Sequence, residues 1–167
     1  MSTSTVRILG IDPGFDRLGI CILDKNGEKE SLLYSTCLIT SKKDSFEDRI
    51  ISLGVSLEKI LKEYKPQELA IEKLFLTKNQ ITAINVAQVR GVCLYISRLH
   101  KLSIYEYSPP EIKLAVTGYG KATKDDIANI VPKILKNPKI KGLLDDEMDA
   151  IAIALTHSSH RKLNMFK

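Results

Sequence analysis

The fold is indicated most clearly by the segment Val6-Arg-Ile-Leu-Gly-Ile-Asp12-Pro-Gly14. Its apolar run from Val6 to Ile11 is typical of a buried strand, and the Asp-Pro-Gly triplet that follows predicts a turn. We therefore expect a first strand in the core of the protein, with the carboxylate of Asp12 at the point where that strand ends.

Two further strands are predicted directly after this turn. The run from Leu18 to Leu23 is again apolar, and Asp24-Lys-Asn-Gly27 has the composition of a hairpin turn. Residues 31–40 predict the third strand. The chain is therefore expected to open with a three-stranded antiparallel meander.

Helices and strands alternate over the rest of the chain. Apolar side chains three and four residues apart predict an amphipathic helix over residues 45–64, which Pro66 ends. Leu69-Ala-Ile71 predicts a short buried strand that ends in Glu72. The remaining predicted elements are a helix over 79–100, a strand over 103–107, and helices over 109–116, 124–135 with Thr123 as N-cap, and 145–157.

This order of elements predicts an α/β fold with one five-stranded mixed sheet flanked by helices. Because the fourth and fifth strands each follow a helix, we expect both to run parallel to the first. Residues 1–158 are assigned to a single domain, and residues 159–167 to a short basic tail that is expected to fray.

Composition excludes several classes of protein. No apolar run is long enough for a membrane span, and the N-terminus lacks the apolar segment of a signal peptide, so a cytoplasmic protein is predicted. The three cysteines are odd in number and form no Cys-x-x-Cys pair, which argues against a disulfide framework and against a zinc site.

The positive charge of the chain is concentrated in one segment. The net charge is +5, and residues 113–141 contain seven lysines but only two acids, Asp125 and Asp126. Clustered lysines are the usual electrostatic footprint of phosphate binding, although a plain solvated face would have the same composition.

Two acids occupy the same unusual setting. Asp12 and Glu72 each follow a buried apolar run directly, and the carboxyl ends of parallel strands form the edge at which α/β sheets bind ligands. A carboxylate in that position is costly unless it is paired, protonated or bound to a metal. The alternative is that each acid simply begins a loop and faces water.

The last predicted helix supplies two more acids. Asp146 and Asp149 are three residues apart and so share one helix face. Favourable acidic charge at a helix N-terminus explains Asp146 well, but it explains Asp149 less well because an apolar segment follows it. Four converging carboxylates would repel one another unless hard cations lay among them, and Mg²⁺ or Mn²⁺ suits such ligands.

Several motifs together resemble the RuvC family of bacterial Holliday-junction resolvases, and they cover nearly the whole chain in the right order. The motifs are Leu9-Gly-Ile-Asp12-Pro-Gly14, Ala70-Ile-Glu72-Lys-Leu-Phe75, Ala87-Gln-Val-Arg90-Gly-Val92, Tyr105-Glu-Tyr107, Gly118-Tyr-Gly-Lys-Ala-Thr-Lys124 and Asp146-Glu-Met-Asp149-Ala-Ile-Ala-Ile-Ala154. The resemblance implies a ribonuclease-H-like fold, a homodimer, and paired symmetric nicks in a four-way DNA junction. It also implies two partner proteins, RuvA and RuvB, which form a branch-migration motor.

The resemblance also implies roles for individual residues. The metal-binding and catalytic acids are Asp12, Glu72, Asp146 and Asp149, and Lys124 is the catalytic lysine near the cleaved phosphate. Two Mg²⁺ ions per active site are expected, with Mn²⁺ as a substitute. The DNA-binding residues expected on this basis are Phe75, Lys78, Asn79, Arg90, Lys113, Lys121 and Lys124.

The residues themselves leave alternatives open for three of these side chains. Phe75 could belong to the core, Lys113 could be a solvated charge on an amphipathic helix, and Arg90 could pair within the fold. In the hypothesis we adopt, Phe75 stacks on a base exposed at the crossover and Lys124 steadies the phosphate.

Three other functions compete with junction cleavage. A ribonuclease-H-like enzyme acting on RNA–DNA hybrid or ribosomal RNA would share the acidic site. An actin-like sugar kinase also has a first strand ending in Gly-Ile-Asp, but it needs a longer chain with two such domains. A non-catalytic junction-binding protein would have no need for four spaced acids.

Overall fold

The computed structural model of the chain describes residues 5–74 and 80–164, and only the backbone of residues 80 and 162–164. One sheet carries helices on both faces. In chain order the elements are β1 (Val6–Asp12), β2 (Arg17–Asn26), β3 (Lys29–Ile39), α1 (Phe46–Tyr64), β4 (Glu68–Glu72), α2 (Gln80–Leu99), β5 (Ser103–Tyr107), α3 (Pro109–Thr117), α4 (Lys124–Ile134), a 3₁₀ turn (Pro138–Ile140) and α5 (Asp145–Asn164).

The sheet has the order β3-β2-β1-β4-β5. β1, β2 and β3 pair antiparallel, whereas β4 is parallel to β1 and β5 is parallel to β4. The predicted meander, the parallel fourth and fifth strands and the five-stranded mixed sheet are therefore confirmed. β1 lies in the middle of the sheet, so the residue at its end is central to the edge.

The two faces of the sheet bury different cores. Ile8 contributes to the core beneath α3, α4 and α5, while Leu9 and Ile11 contribute to the core beneath α1 and α2. All three side chains are fully buried. A strand covered on both faces needs apolar residues at successive positions, which explains the continuous apolar run that opens the chain.

Helix α5 lies unusually close to the sheet because two glycines face it. A Cβ atom at Gly10 would lie 2.3 Å from the carbonyl oxygen of Ala150, and one at Gly19 would lie 1.9 Å from the carbonyl oxygen of Asp146. Neither position can carry a side chain without displacing helix backbone. The glycines of β1 and β2 thus set the height of α5 above the sheet.

The C-terminal helix is longer than predicted. We expected it to end near residue 157, with a frayed tail after it, but α5 continues to Asn164. Its late turns are held to the sheet by Glu68 at the start of β4: His157 Nε2 lies 2.7 Å from the Glu68 carboxylate, and Arg161 pairs with the same carboxylate. The expected helix end was therefore wrong, because these long-range contacts do not appear in the local pattern.

Cys21, Cys37 and Cys93 are free thiols, and Cys21 and Cys93 are buried among apolar side chains. No helix in the described part of the chain is long and apolar enough to cross a membrane.

Candidate active site

The carboxyl edge of the sheet carries the two acids that end strands. Asp12 is the last residue of β1 and Glu72 is the last residue of β4. The two strands are hydrogen-bonded neighbours, with Ile11 in register with Ile71. Asp12 and Glu72, the next residues of the two strands, therefore lie side by side at the edge, as their positions in the sequence predicted.

Helix α5 begins above the same edge and brings the other acids. Asp12, Glu72 and Asp149 line one cavity of about 320 Å³, together with Lys113 and Lys124. Asp146 lies at the border of this cavity and lines the neighbouring groove instead. The structure thus gathers three of the four predicted acids in one cavity and places the fourth beside it. We call these four residues the acid cluster.

Burial and neighbouring negative charge disfavour the ionisation of Asp12, Glu72 and Asp149. The pKa of Asp12 is raised from 3.8 to about 7, mainly by burial and then by the negative charges of Asp149, Glu72 and Asp146. Burial likewise raises the pKa of Glu72 and of Asp149. A site of this kind holds protons or cations more readily than an exposed set of carboxylates does.

Lys124 supplies positive charge to the acid cluster. It is the first residue of α4, after the N-cap Thr123, and its Nζ donates a hydrogen bond of 2.9 Å to Asp149 Oδ2. The same Nζ lies 3.9 Å from Asp145. This hydrogen bond to Asp149 is the largest cause of the raised pKa of Lys124, so the lysine stays charged. Lys113 lines the cavity half-buried, whereas Lys121 is an exposed residue of the loop before α4.

The acid cluster has the donor chemistry of a site for a hard cation. Its side chains offer carboxylate oxygens, and the pKa values of Asp12 and Glu72 are raised first by burial and then by neighbouring negative charge. Within residues 5–74 and 80–164, however, no three acidic, histidine or cysteine side chains stand close enough together to hold a metal ion. A cation held by three of these acids would therefore need their side chains to come closer together.

The predicted DNA-binding residues divide into three groups. Phe75, Lys78 and Asn79 lie outside the described residues. Lys113 and Lys124 line the cavity, and Lys121 is exposed on the loop before α4. Arg90 lies on α2 and its guanidinium is committed inside the fold.

Arg90 contacts two neighbouring strands, β4 and β5, inside the fold. Its Nε donates a hydrogen bond of 3.1 Å to the backbone carbonyl of Glu72, and its Nη2 lies 2.8 Å from Glu106 Oε2. Its side chain is only 13% exposed. The structure thus shows Arg90 paired within the fold, which was the alternative to DNA contact. Its guanidinium holds the end of β4, where Glu72 lies.

Sequence reasoning did not single out Arg17, which lies close to the acid cluster. Its Nη1 is 3.7 Å from Asp146 Oδ2. The available signal was its position, because Arg17 follows the turn that begins at Asp12. A lone arginine at the start of a strand is too common a feature to identify a site. Only the distance between Arg17 and Asp146 connects this residue with the acid cluster.

The model of the family described as "Crossover junction endodeoxyribonuclease RuvC" matches residues 8–157. The chain belongs to the RuvC family. The match spans both strand ends of the acid cluster and most of α5, so the resemblance predicted from the motifs is confirmed, together with the enzyme class of the family.

Relatives within the RuvC family are similar over nearly their whole length. The crossover junction endodeoxyribonuclease RuvC of Petrotoga mobilis is 41% identical over 155 residues, covering 93% of this chain and 94% of its own. That of Finegoldia magna is also 41% identical, over 165 residues, covering 97% of this chain and all of its own.

A solved RuvC structure has a closely similar fold. Thermus thermophilus RuvC in complex with Holliday junction substrate superposes with a TM-score of 0.88 at 28% identity, covering 95% of this chain and 96% of that one. The predicted ribonuclease-H-like fold is thereby confirmed.

Proposed function

We propose that the chain is a metal-dependent endonuclease that resolves Holliday junctions by paired symmetric nicks during DNA recombination and repair. The observation that carries the proposal is the acid cluster, which lies at the carboxyl edge of the sheet and is bordered by lysines, in a chain of the RuvC family. Acids of this kind serve phosphodiester hydrolysis, and the lysines suit a phosphate backbone.

The proposed roles follow from where each side chain lies. Asp12, Glu72, Asp146 and Asp149 would hold Mg²⁺, or Mn²⁺ in its place, with two ions per active site. Bound ions of this type lower the pKa of water and offset the charge that develops on the phosphate. Asp12 is the most central ligand, because its carboxylate is electrostatically coupled to those of the other three acids.

Lys124 is proposed to act on the phosphate itself. In the free protein its ammonium group is hydrogen-bonded to Asp149, so it is already aimed into the cavity. The same ammonium group would donate to a non-bridging oxygen of the cleaved phosphate and stabilise its charge. Lys113 and Lys121 would contact neighbouring phosphates, and Phe75, Lys78 and Asn79 would contact the opened crossover.

The direct test uses the purified chain, Mg²⁺ and a synthetic four-way junction labelled in turn on each strand. We expect nicks at matching positions in two opposite strands. Linear duplex and RNA–DNA hybrid serve as comparison substrates. Preferential cleavage of the hybrid would support a ribonuclease, and tight junction binding without any cleavage would support a non-catalytic binding protein.

We also propose that the protein works as a two-fold homodimer. Four exposed apolar side chains lie along α2, namely Ile81, Ile84, Tyr95 and Leu99, and Ile51 and Val55 are exposed on the adjacent α1. A stripe of exposed apolar side chains along a helix is typical of an interface, and two active sites related by a two-fold axis suit a junction of the same symmetry.

Ile84→Glu is expected to yield a monomer, because it introduces a charge where an apolar side chain is 56% exposed on this stripe. Light scattering on the purified protein gives the mass. Leu33→Glu, a matched change on β3, should remain a dimer. The α2 interface would be wrong if both variants kept the mass of the unmodified protein, or if the unmodified protein were itself a monomer.

Two remaining proposals rest on the family resemblance. RuvA and RuvB are the proposed partners, because a resolvase needs a junction that has been positioned by branch migration. The proposed location is the cytoplasm, since bacterial recombination takes place there. Co-purification of the chain with RuvA and RuvB on a synthetic junction tests the partnership.

Arg90→Ala is expected to lower kcat for junction cleavage about ten- to a hundred-fold, because the strand end bearing Glu72 loses its anchor. The Kd for the junction should stay within about two-fold of the unmodified value, since a guanidinium bound inside the fold makes no phosphate contact. Arg98→Ala is the matched control, because Arg98 also caps a backbone carbonyl from α2, but at Leu102. A large loss of junction affinity would instead assign Arg90 to DNA binding.

A further inference from the structure

A second hollow lies beside the acid cluster, on the side away from the lysines. It is a groove of about 840 Å³ that Asp146 shares with the turn after β1 and with one side of α2. The strand order β2-β1-β4 places Arg17, at the start of β2, and Glu72, at the end of β4, on opposite sides of Asp12. The acid cluster therefore has one hollow on each side.

The turn that forms one wall of this groove is rigidly built. A Cβ at Gly14 would lie 2.0 Å from the carbonyl oxygen of Arg17, so the turn closes tightly on itself. Thr40 donates hydrogen bonds from its amide to the Asp16 carbonyl, at 3.1 Å, and from its hydroxyl to the Phe15 carbonyl, at 3.0 Å. The backbone just before Arg17 is thus held in a single arrangement.

A buried arginine completes the support of this turn. The guanidinium of Arg49 lies 3.6 Å from the centre of the Phe15 ring and pairs with the carboxylate of Asp16. Its Nε also donates a hydrogen bond of 2.9 Å to Thr40 Oγ1. The charge of Arg49 is therefore used inside the fold, and it cannot at the same time serve a ligand in the groove.

Two other cations of the groove are held only loosely. The side chain of Arg17 is 51% exposed and lies 3.7 Å from Asp146, and that of Lys42 is 81% exposed and lies 3.8 Å from Asp16. Exposed ion pairs at such distances contribute little to stability. Both side chains can therefore exchange a carboxylate for another anion, and a planar guanidinium is well matched to two oxygens of a phosphate.

We propose that the nicked DNA strand crosses the acid cluster from the lysine-lined cavity into this groove, where Arg17 and Lys42 bind the backbone phosphates on that side of the cleaved one. The inference rests on the proposed function and adds the path of the substrate. Four carboxylates repel DNA, and cations on only one side would hold a strand at its end rather than across the acids. Lys113 would bind the strand at one end of this path, in the cavity, and Arg17 at the other end, in the groove.

The first arm of the test measures junction binding without cleavage, with Ca²⁺ in place of Mg²⁺. The double variant Arg17→Ala/Lys42→Ala should raise the Kd for a synthetic four-way junction about ten-fold and reduce the slope of log K against log salt by about two, as expected for two lost phosphate contacts. Lys62→Ala, which removes a lysine paired with Glu58 on α1, is the matched control and should change neither quantity. Equal values for the double variant and the control would overturn the inference.

The second arm maps the path on the DNA. Single methylphosphonate linkages, which remove the charge of one phosphate, are placed in turn on each side of the cleavage position of the unmodified protein. Arg17→Ala should become insensitive to a linkage on one side, and Lys113→Ala to a linkage on the other. Sensitivities on the same side would overturn the proposed path. Failure of the unmodified protein to cleave any junction would instead count against the proposed function, so the two failures are distinguishable.

Discussion

Asp12→Asn is expected to abolish junction cleavage, with a loss of at least about a thousand-fold in kcat, while the Kd for the junction stays within about two-fold. Asparagine keeps the shape of the side chain but removes the charge that is coupled to the other three acids. Cleavage of a labelled junction in Mg²⁺, compared with binding in Ca²⁺, measures both quantities. Appreciable cleavage by the variant would remove Asp12 from the proposed mechanism.

The same variant is expected to be more stable than the unmodified protein at alkaline pH. The pKa of Asp12 is raised in the fold to about 7 from an ordinary value of 3.8, so the folded state binds a proton more tightly than the unfolded chain does. Stability therefore falls as pH rises from about 4 through about 7, and the whole cost is present above that range. Asparagine has no such cost.

The expected gain for Asp12→Asn is roughly 2–4 kcal/mol in the free energy of unfolding at about pH 8, without divalent cations, and it should shrink steadily as the pH is lowered towards about 4. Denaturant unfolding at several pH values measures the gain. Asp44→Asn, a change at an exposed residue of the loop before α1, is the matched control and should show no such trend. A gain that did not depend on pH would mean that the cost of ionising Asp12 in the fold has been misjudged.

Gly19→Ala is expected to lower stability by about 2–4 kcal/mol and to lower cleavage by about a hundred-fold or more. The added methyl group would lie 1.9 Å from the carbonyl oxygen of Asp146 and 3.3 Å from the Cβ of Ala150. The first turns of α5 must then rise from the sheet. Asp146 and Asp149 rise with them, away from Asp12.

Gly120→Ala provides the control for this stability measurement. A Cβ at Gly120 would approach the Pro110 carbonyl oxygen no closer than 3.7 Å, an ordinary contact, so its stability should change by less than about 0.5 kcal/mol. Thermal or denaturant unfolding compares the two variants. If Gly19→Ala were as stable and as active as Gly120→Ala, the close seating of α5 would not be what positions the acids.

Much of the candidate site followed from local patterns. An acid directly after a buried apolar run occupies the carboxyl edge wherever the strand pairs, so Asp12 and Glu72 could be placed at the edge before any pairing was known. Asp146 and Asp149 could be placed on one helix face from their spacing alone. The N-cap Thr123 likewise positioned Lys124 at the start of a helix, and the structure has both.

Other parts of the site depend on contacts between residues far apart in the chain. Arg90 and Glu72 are 18 residues apart, and no periodicity reveals that the guanidinium binds that backbone carbonyl. The contact between Arg17 and Asp146 joins the two ends of the domain. The length of α5 escaped prediction for the same reason, since Glu68 holds its late turns from 89 residues away.

Local patterns were enough to predict the class of fold and the four acids of the candidate site, because strand ends, helix faces and apolar runs are local properties of the chain. They did not show how the acids are divided between the cavity and the groove, or which cations pair inside the fold and which stay exposed. Those features depend on burial and electrostatic coupling, which are set by distances between residues far apart in the chain. Gly10 and Gly19 set those distances by letting α5 rest on the sheet, and only the folded chain shows what faces each glycine.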